Sequence, residues 1–210
     1  MCVKLSRLGI CGLLSLLSYT LSVVLSPLAY PGYDWLSMAV SDLSAVGAPS
    51  AELNKQLGAF FNPCGIVCIM AVCVAVAGCR SKILKWGVFA FAAMEWVMEV
   101  GYKLFPWVKD GTMSHPQNVM HLVVTVLVIV FSLAALIFVG IGARKEGISS
   151  LSNWAWICLA AMLIGPMGTA FLPKAVFGLF ERFSTFSAVI FNAVLGWYLF
   201  REKLGGQNIE

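Results

Sequence analysis

Charge is what this chain has least of. Of its 210 residues only 11% are Asp, Glu, Lys or Arg, less than half the roughly 25% of a soluble domain. No basic run is present, which excludes nucleic acid as a partner. Histidine is scarcer still: His115 and His121 are the only two, so no pair of intramembrane histidines can hold a haem. Seven cysteines occur, but no C-x-x-C pair. Cys64 and Cys68 share a helix face without a histidine near them, so the thiols read as small packing residues. The phosphate-binding pattern G-x-x-x-x-G-K-[ST], the dinucleotide pattern G-x-G-x-x-G and the nucleophile elbow G-x-S-x-G are all missing.

What is present is apolar. Hydrophobic residues make up 60% of the chain, and they come in long blocks, not at amphipathic spacing. This places the chain in the membrane class. The fold class is all-α: a polytopic membrane protein with six transmembrane helices in a single bundle over residues 1–210. The helices are expected at about 8–29, 57–77, 84–102, 121–143, 154–172 and 183–200, each near the ~20 residues needed to cross the hydrocarbon. Met1–Arg7 with Leu8–Ala29 resembles a signal peptide, but the apolar block is too long and ends in Pro27 and Tyr30-Pro31.

The cations sort by side. Lys4, Arg7, Arg80, Lys82, Lys85, Arg144, Lys145, Arg201 and Lys203 lie on one side, nine in all. Lys55, Lys103, Lys109, Lys174 and Arg182 lie on the other. The positive-inside rule then makes both termini cytoplasmic. Loops one, three and five face outward. The inner loops are plain, and the outer ones carry the unusual residues. Each outer loop opens on an apolar-Pro pair: Tyr30-Pro31, Phe105-Pro106 and Leu172-Pro173. That pattern fits either a threefold repeat or the general habit of proline after a helix.

Loop one holds Ser41-Asp42-Leu43-Ser44-Ala45-Val46-Gly47-Ala48-Pro49, then Ser50 and Glu52, which read as a helix start. Loop three holds Asp110 and both histidines. His115, His121, Asp42 and Asp110 are a candidate set of ligands for a divalent metal, although the six-residue spacing of the histidines is not that of a single helix face. Glu95 and Glu99 are the acids well inside an apolar segment. Their i,i+4 spacing stacks them on one face, toward a cavity or the bundle interior, where they suit acid–base work or proton coupling. The simpler reading is a hydrogen bond to a neighbouring helix. Loop five holds Glu181 and Arg182 ahead of the sixth helix. Arg182 there either anchors a phosphate or carboxylate head group or snorkels. Asn62 and Asn192 lie within helices and suit inter-helix hydrogen bonds.

These outer segments carry a resemblance. Pro31-Gly32-Tyr33, Ser41-Asp42-Leu43-Ser44-Ala45, Gly47-Ala48-Pro49, Phe61-Asn62 and Gly65 resemble the opening of the domain of unknown function 998 family, six-helix membrane proteins of bacteria and archaea. Phe105-Pro106, Asp110 with a following histidine, and Gly178-Leu179-Phe180-Glu181-Arg182 resemble its later signatures. A more distant similarity links the Ser-Asp…Gly…Pro pattern to a eukaryotic membrane family of autophagy modulators and a GPI-anchor-remodelling protein, in which the glycine follows the aspartate more closely. The nearer resemblance implies the architecture and singles out Ser41, Asp42, His121, Glu181 and Arg182. It names no substrate.

Three functional expectations follow. The first is an enzyme, of hydrolase or transferase type, acting on a lipid or membrane-associated substrate at the outward face. Asp42, His121, Glu181 and Glu99 would be its catalytic groups, and Ser41, Arg182, Glu95 and Asn62 would bind substrate. The second is a binding or transport protein with a cavity lined by Glu95 and Glu99 and hinges at Gly165-Pro166 and Gly168. The third is an assembly partner. Membrane lipids are the expected partners in the first.

Overall fold

A backbone in hydrocarbon has no water to bond to, and helices satisfy it within one segment. The computed structural model, which describes residues 4–108 and 115–204, is built this way. Helix α1 (Ile10–Leu25) is prolonged by 3-10 turns at Leu5–Gly9 and Ser26–Ala29. The short α2 (Ala51–Leu57) precedes α3 (Phe61–Val76). Then come α4 (Lys82–Leu104), α5 (Pro116–Lys145), α6 (Ser149–Phe171) and α7 (Phe177–Phe200). Among the described residues there is no strand, only an isolated bridge between Val46 and Val108.

With α2 and α3 taken as one interrupted segment, the chain forms six long helical segments. Five are long and apolar enough to span a membrane: Leu5–Ala29, Ala51–Val76, Pro116–Lys145, Ser149–Phe171 and Lys174–Phe200. The remaining helix, α4, has the length, but Lys82, Lys85, Glu95, Glu99 and Lys103 dilute its apolarity. The helices form a ring in the order α1, α3, α4, α5, α6, α7, closed by α1 against α7, with α3 and α7 also touching across it. Lys4 Nζ meets Glu202 Oε1 at 2.5 Å, so both described chain ends lie at one end of the bundle. Loops one, three and five lie at the other, called here the loop end.

The core is apolar and close-packed. Phe91 of α4 and Phe191 of α7 meet edge-to-face at 5.4 Å, and both are fully buried. Small residues let the backbones approach. A Cβ on Gly142 of α5 would lie 2.3 Å from Leu84 N of α4, and one on Gly87 of α4 would lie 2.7 Å from Val139 N of α5. The same reason explains Gly165 and Gly168 of α6, expected as hinges. A Cβ there would strike Ser184 Oγ at 1.8 Å and the Phe180 ring at 2.0 Å, so these positions are seats for α7 within a continuous helix.

The helix start read at Ser50 and Glu52 holds, since α2 begins at Ala51, but the Ser50 side chain does not cap it. Its hydroxyl instead donates to Leu43 O at 2.8 Å, and the helix breaks at Gly58–Phe60. The break frees backbone groups, and α1 answers with a stripe of buried serines. Ser15 Oγ donates to Phe61 O at 2.7 Å and Ser18 Oγ to Leu57 O at 2.6 Å. Ser18 Oγ also accepts from Phe60 N at 3.3 Å. Ser26 Oγ accepts from Asn54 Nδ2 at 3.2 Å. Replacing Ser18 with Ala leaves Leu57 O and Phe60 N unpaired. It is expected to cost about 1–3 kcal/mol, read as a lowered Tm in detergent, whereas Thr20→Ala, whose hydroxyl serves only its own helix, should change Tm little.

Candidate functional site

At the loop end, the opening motif folds as a small core of its own. Leu43 and Ala45 are fully buried and pack with Tyr30 and Ala48 against Tyr33, Met38 and Trp107. Ser41–Leu43 is a 3-10 turn. Asp42 Oδ2 accepts from Ala39 N at 2.9 Å and holds the turn's entry. Gly47 has φ +85°, which other residues rarely adopt. It turns the chain so that Val46 N can donate to Trp107 O of loop three at 2.9 Å. Asp34 organises the preceding residues. The Ser37 hydroxyl first, and Leu36 N second, hold its carboxyl below the usual range.

Loop one is then fastened to α7. The sequence places Glu181 and Arg182 in a loop ahead of the sixth helix, near residue 183. The structure corrects this: α7 begins at Phe177, so both sit in its second turn. The tight connection explains it, since only Leu172–Val176 separate α6 from α7, with a 3-10 turn at Lys174–Val176. Glu181 Oε2 accepts from Val40 N at 2.6 Å. Arg182 Nη1 donates to Trp35 O at 2.7 Å, to Met38 O at 3.2 Å and to Gly178 O at 2.6 Å. Its Nη2 donates to Tyr33 Oη at 2.7 Å, and Tyr33 donates to Ala39 O at 2.8 Å. Leu179 N completes the seam by donating to Leu36 O at 3.0 Å. Gly178 must be small, because a Cβ would lie 2.1 Å from Met38 O. Burial pushes the Tyr33 phenol above its ordinary range, while Arg182 pulls the other way.

Loop three is held by α5. Asn118, fully buried, accepts from Val108 N at 2.9 Å and donates to Val108 O at 3.3 Å. His121 Nδ1 lies 2.8 Å from Phe105 O. A carbonyl only accepts, so Nδ1 carries the proton and a neutral ring keeps its lone pair on Nε2. The ring packs on Tyr102 at 4.7 Å and Trp107 at 5.6 Å. His115 accepts from Gln117 N through Nδ1 at 3.3 Å and so caps α5. Asp110 lies outside the described residues. Among the described residues no three His, Cys, Asp or Glu side chains gather to hold a metal; His115 and His121 make the separate contacts above.

Asp42, Arg182 and Tyr102 all lie within electrostatic reach of the partly buried Glu181, so loop one, α4 and α7 bring Asp42, Glu181 and the His121 stack to one end of the bundle. Below Arg182 a groove of about 360 Å³ runs between α6 and α7, past Leu179, Phe183, Ala161, Ile157, Ile190 and Trp154. Arg182 lines its loop-end part together with Leu179. Its Nε–H and its second Nη2–H have no partner among the described residues.

The bundle centre is a separate polar cluster. Asn192 Nδ2 donates to Glu95 Oε1 at 2.7 Å and to Gly65 O at 3.3 Å. Glu99 pairs with Lys103. Asn62, Glu95, Glu99 and Asn192 each retain one buried oxygen with no partner among the described residues. The inter-helix role read for Asn192 and the hydrogen bond read for Glu95 are therefore one contact. Ser15, Tyr33 and Asn118 escaped sequence reasoning. Ser15 belongs to a stripe at helical spacing with Ser18 and Ser22, a readable signal. Tyr33 reads as an interfacial aromatic and Asn118 as loop polarity, and neither has such a signal.

Six long helices, five of them apolar enough to span a membrane, joined by a polar cap at one end, define an integral membrane protein. The profile of the family described as "Protein of unknown function (DUF998)" matches residues 12–198, and the chain belongs to that family. No curated protein and no solved structure matches the chain.

The seam on α7 predicts a graded response. Arg182→Ala leaves Trp35 O and the Tyr33 phenol without the donor that Arg182 gives them and should cost about 1–3 kcal/mol. Backbone amides of residues 33–40 should then exchange with deuterium far faster. Tyr33→Phe removes one hydroxyl and should release the same residues only partly.

Proposed function

We propose that the protein binds a membrane lipid in the groove between α6 and α7 and acts on it, or on a substrate it presents, at the loop end. The observation that carries this is the groove itself. Its lining is mostly apolar between residues 179 and 190 of α7, roughly 16 Å at 1.5 Å per residue, which suits an acyl chain. Arg182 in its loop-end part, with two N–H groups uncommitted among the described residues, suits a phosphate or carboxylate head group. Glu181 and Asp42 stand beside that head-group position, and His121 keeps Nε2 as a base. Hydrolase or transferase chemistry is the reaction class these groups fit, with Glu181 or His121 moving the proton. Nine of the fourteen cations lie at the other end, which supports an outward-facing loop end.

Arg182 has two duties in this reading, since it also fastens loop one. The test therefore fills the groove without touching the arginine. Protein purified in nanodiscs of mixed anionic and zwitterionic lipid is examined by native mass spectrometry. The wild type is expected to retain an anionic lipid above its share of the disc. Ala161→Trp should displace it while leaving Tm close to that of the wild type. A wild type that holds no lipid beyond the disc composition would defeat the proposal.

A further inference from the structure

The cations at the terminal end are not all held alike. Three beside α1 and α7 have partners. Lys4 pairs with Glu202 at 2.5 Å, Arg201 lies over the Trp197 ring at 5.7 Å and Lys203 over the Tyr198 ring at 5.8 Å. The corner formed by the start of α4 and the end of α5 differs. Arg80, Lys82, Lys85, Arg144 and Lys145 form no ion pair among the described residues. Glu146 stands among them, and its carboxylate accepts from Ser81 N. Five cations against one carboxylate leave this corner at +4.

The two helix ends are fixed side by side. A Cβ on Gly142 of α5 would lie 2.3 Å from Leu84 N of α4, and the bond from Ser81 N to Glu146 ties the turn before α4 to the end of α5. Each helix carries a stripe of the same order. On α4 it is Lys82, Lys85, Trp86 and Phe89, at i, i+3, i+4 and i+7. On α5 it is Phe138, Ile141 and Lys145, at i, i+3 and i+7, with Arg144 beside them. The helices run antiparallel, so the cations of both stripes lie toward the terminal end and the apolar residues lie below them. Trp86 is 67% exposed and meets Phe89 edge-to-face at 6.5 Å. Phe89, Phe138 and Ile141 are exposed as well. Lys82 to Phe89 covers about 10 Å of helix axis, enough to cross the ~5–8 Å head-group zone into the hydrocarbon.

We infer that this corner, between the start of α4 and the end of α5, binds an anionic phospholipid, with its phosphate on the cations and an acyl chain along Trp86 and Phe89. Lysine and arginine recognise phosphate, and an exposed indole beside them suits the membrane interface. A free phosphate would use the cations and leave the aromatic stripe without a role, so the occupant is a lipid. The contact also answers a need of α4. Its first turn holds Lys82 and no acid, and Lys85 follows, a charge that the helix dipole disfavours there. Of the long helices it is also the one not apolar enough to count as a span. A lipid phosphate offsets this charge where the chain supplies no free carboxylate. The corner lies at the opposite end of the bundle from Arg182, so the inference does not rest on the groove.

The test is native mass spectrometry of the purified full chain in detergent, titrated with phosphatidylglycerol or with phosphatidylcholine of the same acyl chains. Ala161→Trp, which fills the groove, provides the background, so that the corner is read alone. Phosphatidylglycerol is expected to bind there, and phosphatidylcholine is expected not to bind at the same concentration. The triple variant Lys82→Gln, Lys85→Gln, Arg144→Gln should weaken phosphatidylglycerol binding about a hundredfold, three cations at the strength each has near an anionic surface. A second triple variant, Arg7→Gln, Arg201→Gln, Lys203→Gln, removes the same charge from the same end and should change binding little. The pair Lys82→Gln, Arg144→Gln takes the place of the first triple variant if that one fails to fold, and should still lower binding about tenfold or more. Equal losses in the two triple variants, the mark of a diffuse charge effect, would overturn the inference, as would equal binding of the two lipids. Phosphatidylglycerol that binds the wild type but not Ala161→Trp would also overturn it while supporting the groove, so the two proposals fail separately.

Discussion

Inside a bilayer a polar atom has only the protein to bond to, and this structure depends on that constraint throughout. It makes the long apolar segments helical. It also governs what happens where a helix fails. The break between α2 and α3 at Gly58–Phe60 frees backbone groups in an apolar setting, and Ser15 and Ser18 of α1 satisfy them. The same rule sets Asn192 against Glu95. It also sets apart the exceptions, the side-chain oxygens of Asn62, Glu95, Glu99, Ser132 and Asn192 that are buried without a partner among the described residues.

The two ends of the bundle use polarity differently. At the terminal end it is simple: Lys4 with Glu202, and Ser81 N with Glu146 between two short turns. At the loop end, polar groups build a cap. Arg182 gathers loop-one carbonyls, Glu181 takes Val40 N, Asn118 pairs with Val108, and Val46 joins loop three to loop one. Most residues of the Ser41–Pro49 motif are thereby explained by folding: Leu43, Ala45 and Ala48 as core, Asp42 as a turn clamp and Gly47 by its φ. A proposed ligand site at this end must therefore share its residues with the cap.

Much of the architecture is legible in the chain. Blocks of about twenty apolar residues state the helices, because length and apolarity are local properties. The gathering of Glu181, Arg182 and loop one at one end is also readable, since an even number of crossings separates them. The start of α7 is not. Phe177–Phe183 carries Glu181 and Arg182, and polarity looks like loop until loop one is seen to cover it. The break at Gly58–Phe60 is hidden too, for its sequence is apolar and its cost is met by serines some forty residues away. Gly165 and Gly168, expected as hinges, show the same limit: a glycine that bends and a glycine that makes room look alike until Ser184 and Phe180 are placed against it.

The sequence by itself determined the class of protein, the number of long helices and the list of polar residues that need an explanation. Those follow from composition along a single segment. Only the tertiary structure decided which of these residues are spent on the fold and which retain a free atom. Arg182 and Glu95 show the difference. Each is a charged residue in an apolar stretch, and nothing local separates them. Packing gives Arg182 four protein acceptors and leaves Glu95 one oxygen with none, because hydrogen-bond partners come from other helices and their supply is fixed only when the bundle closes.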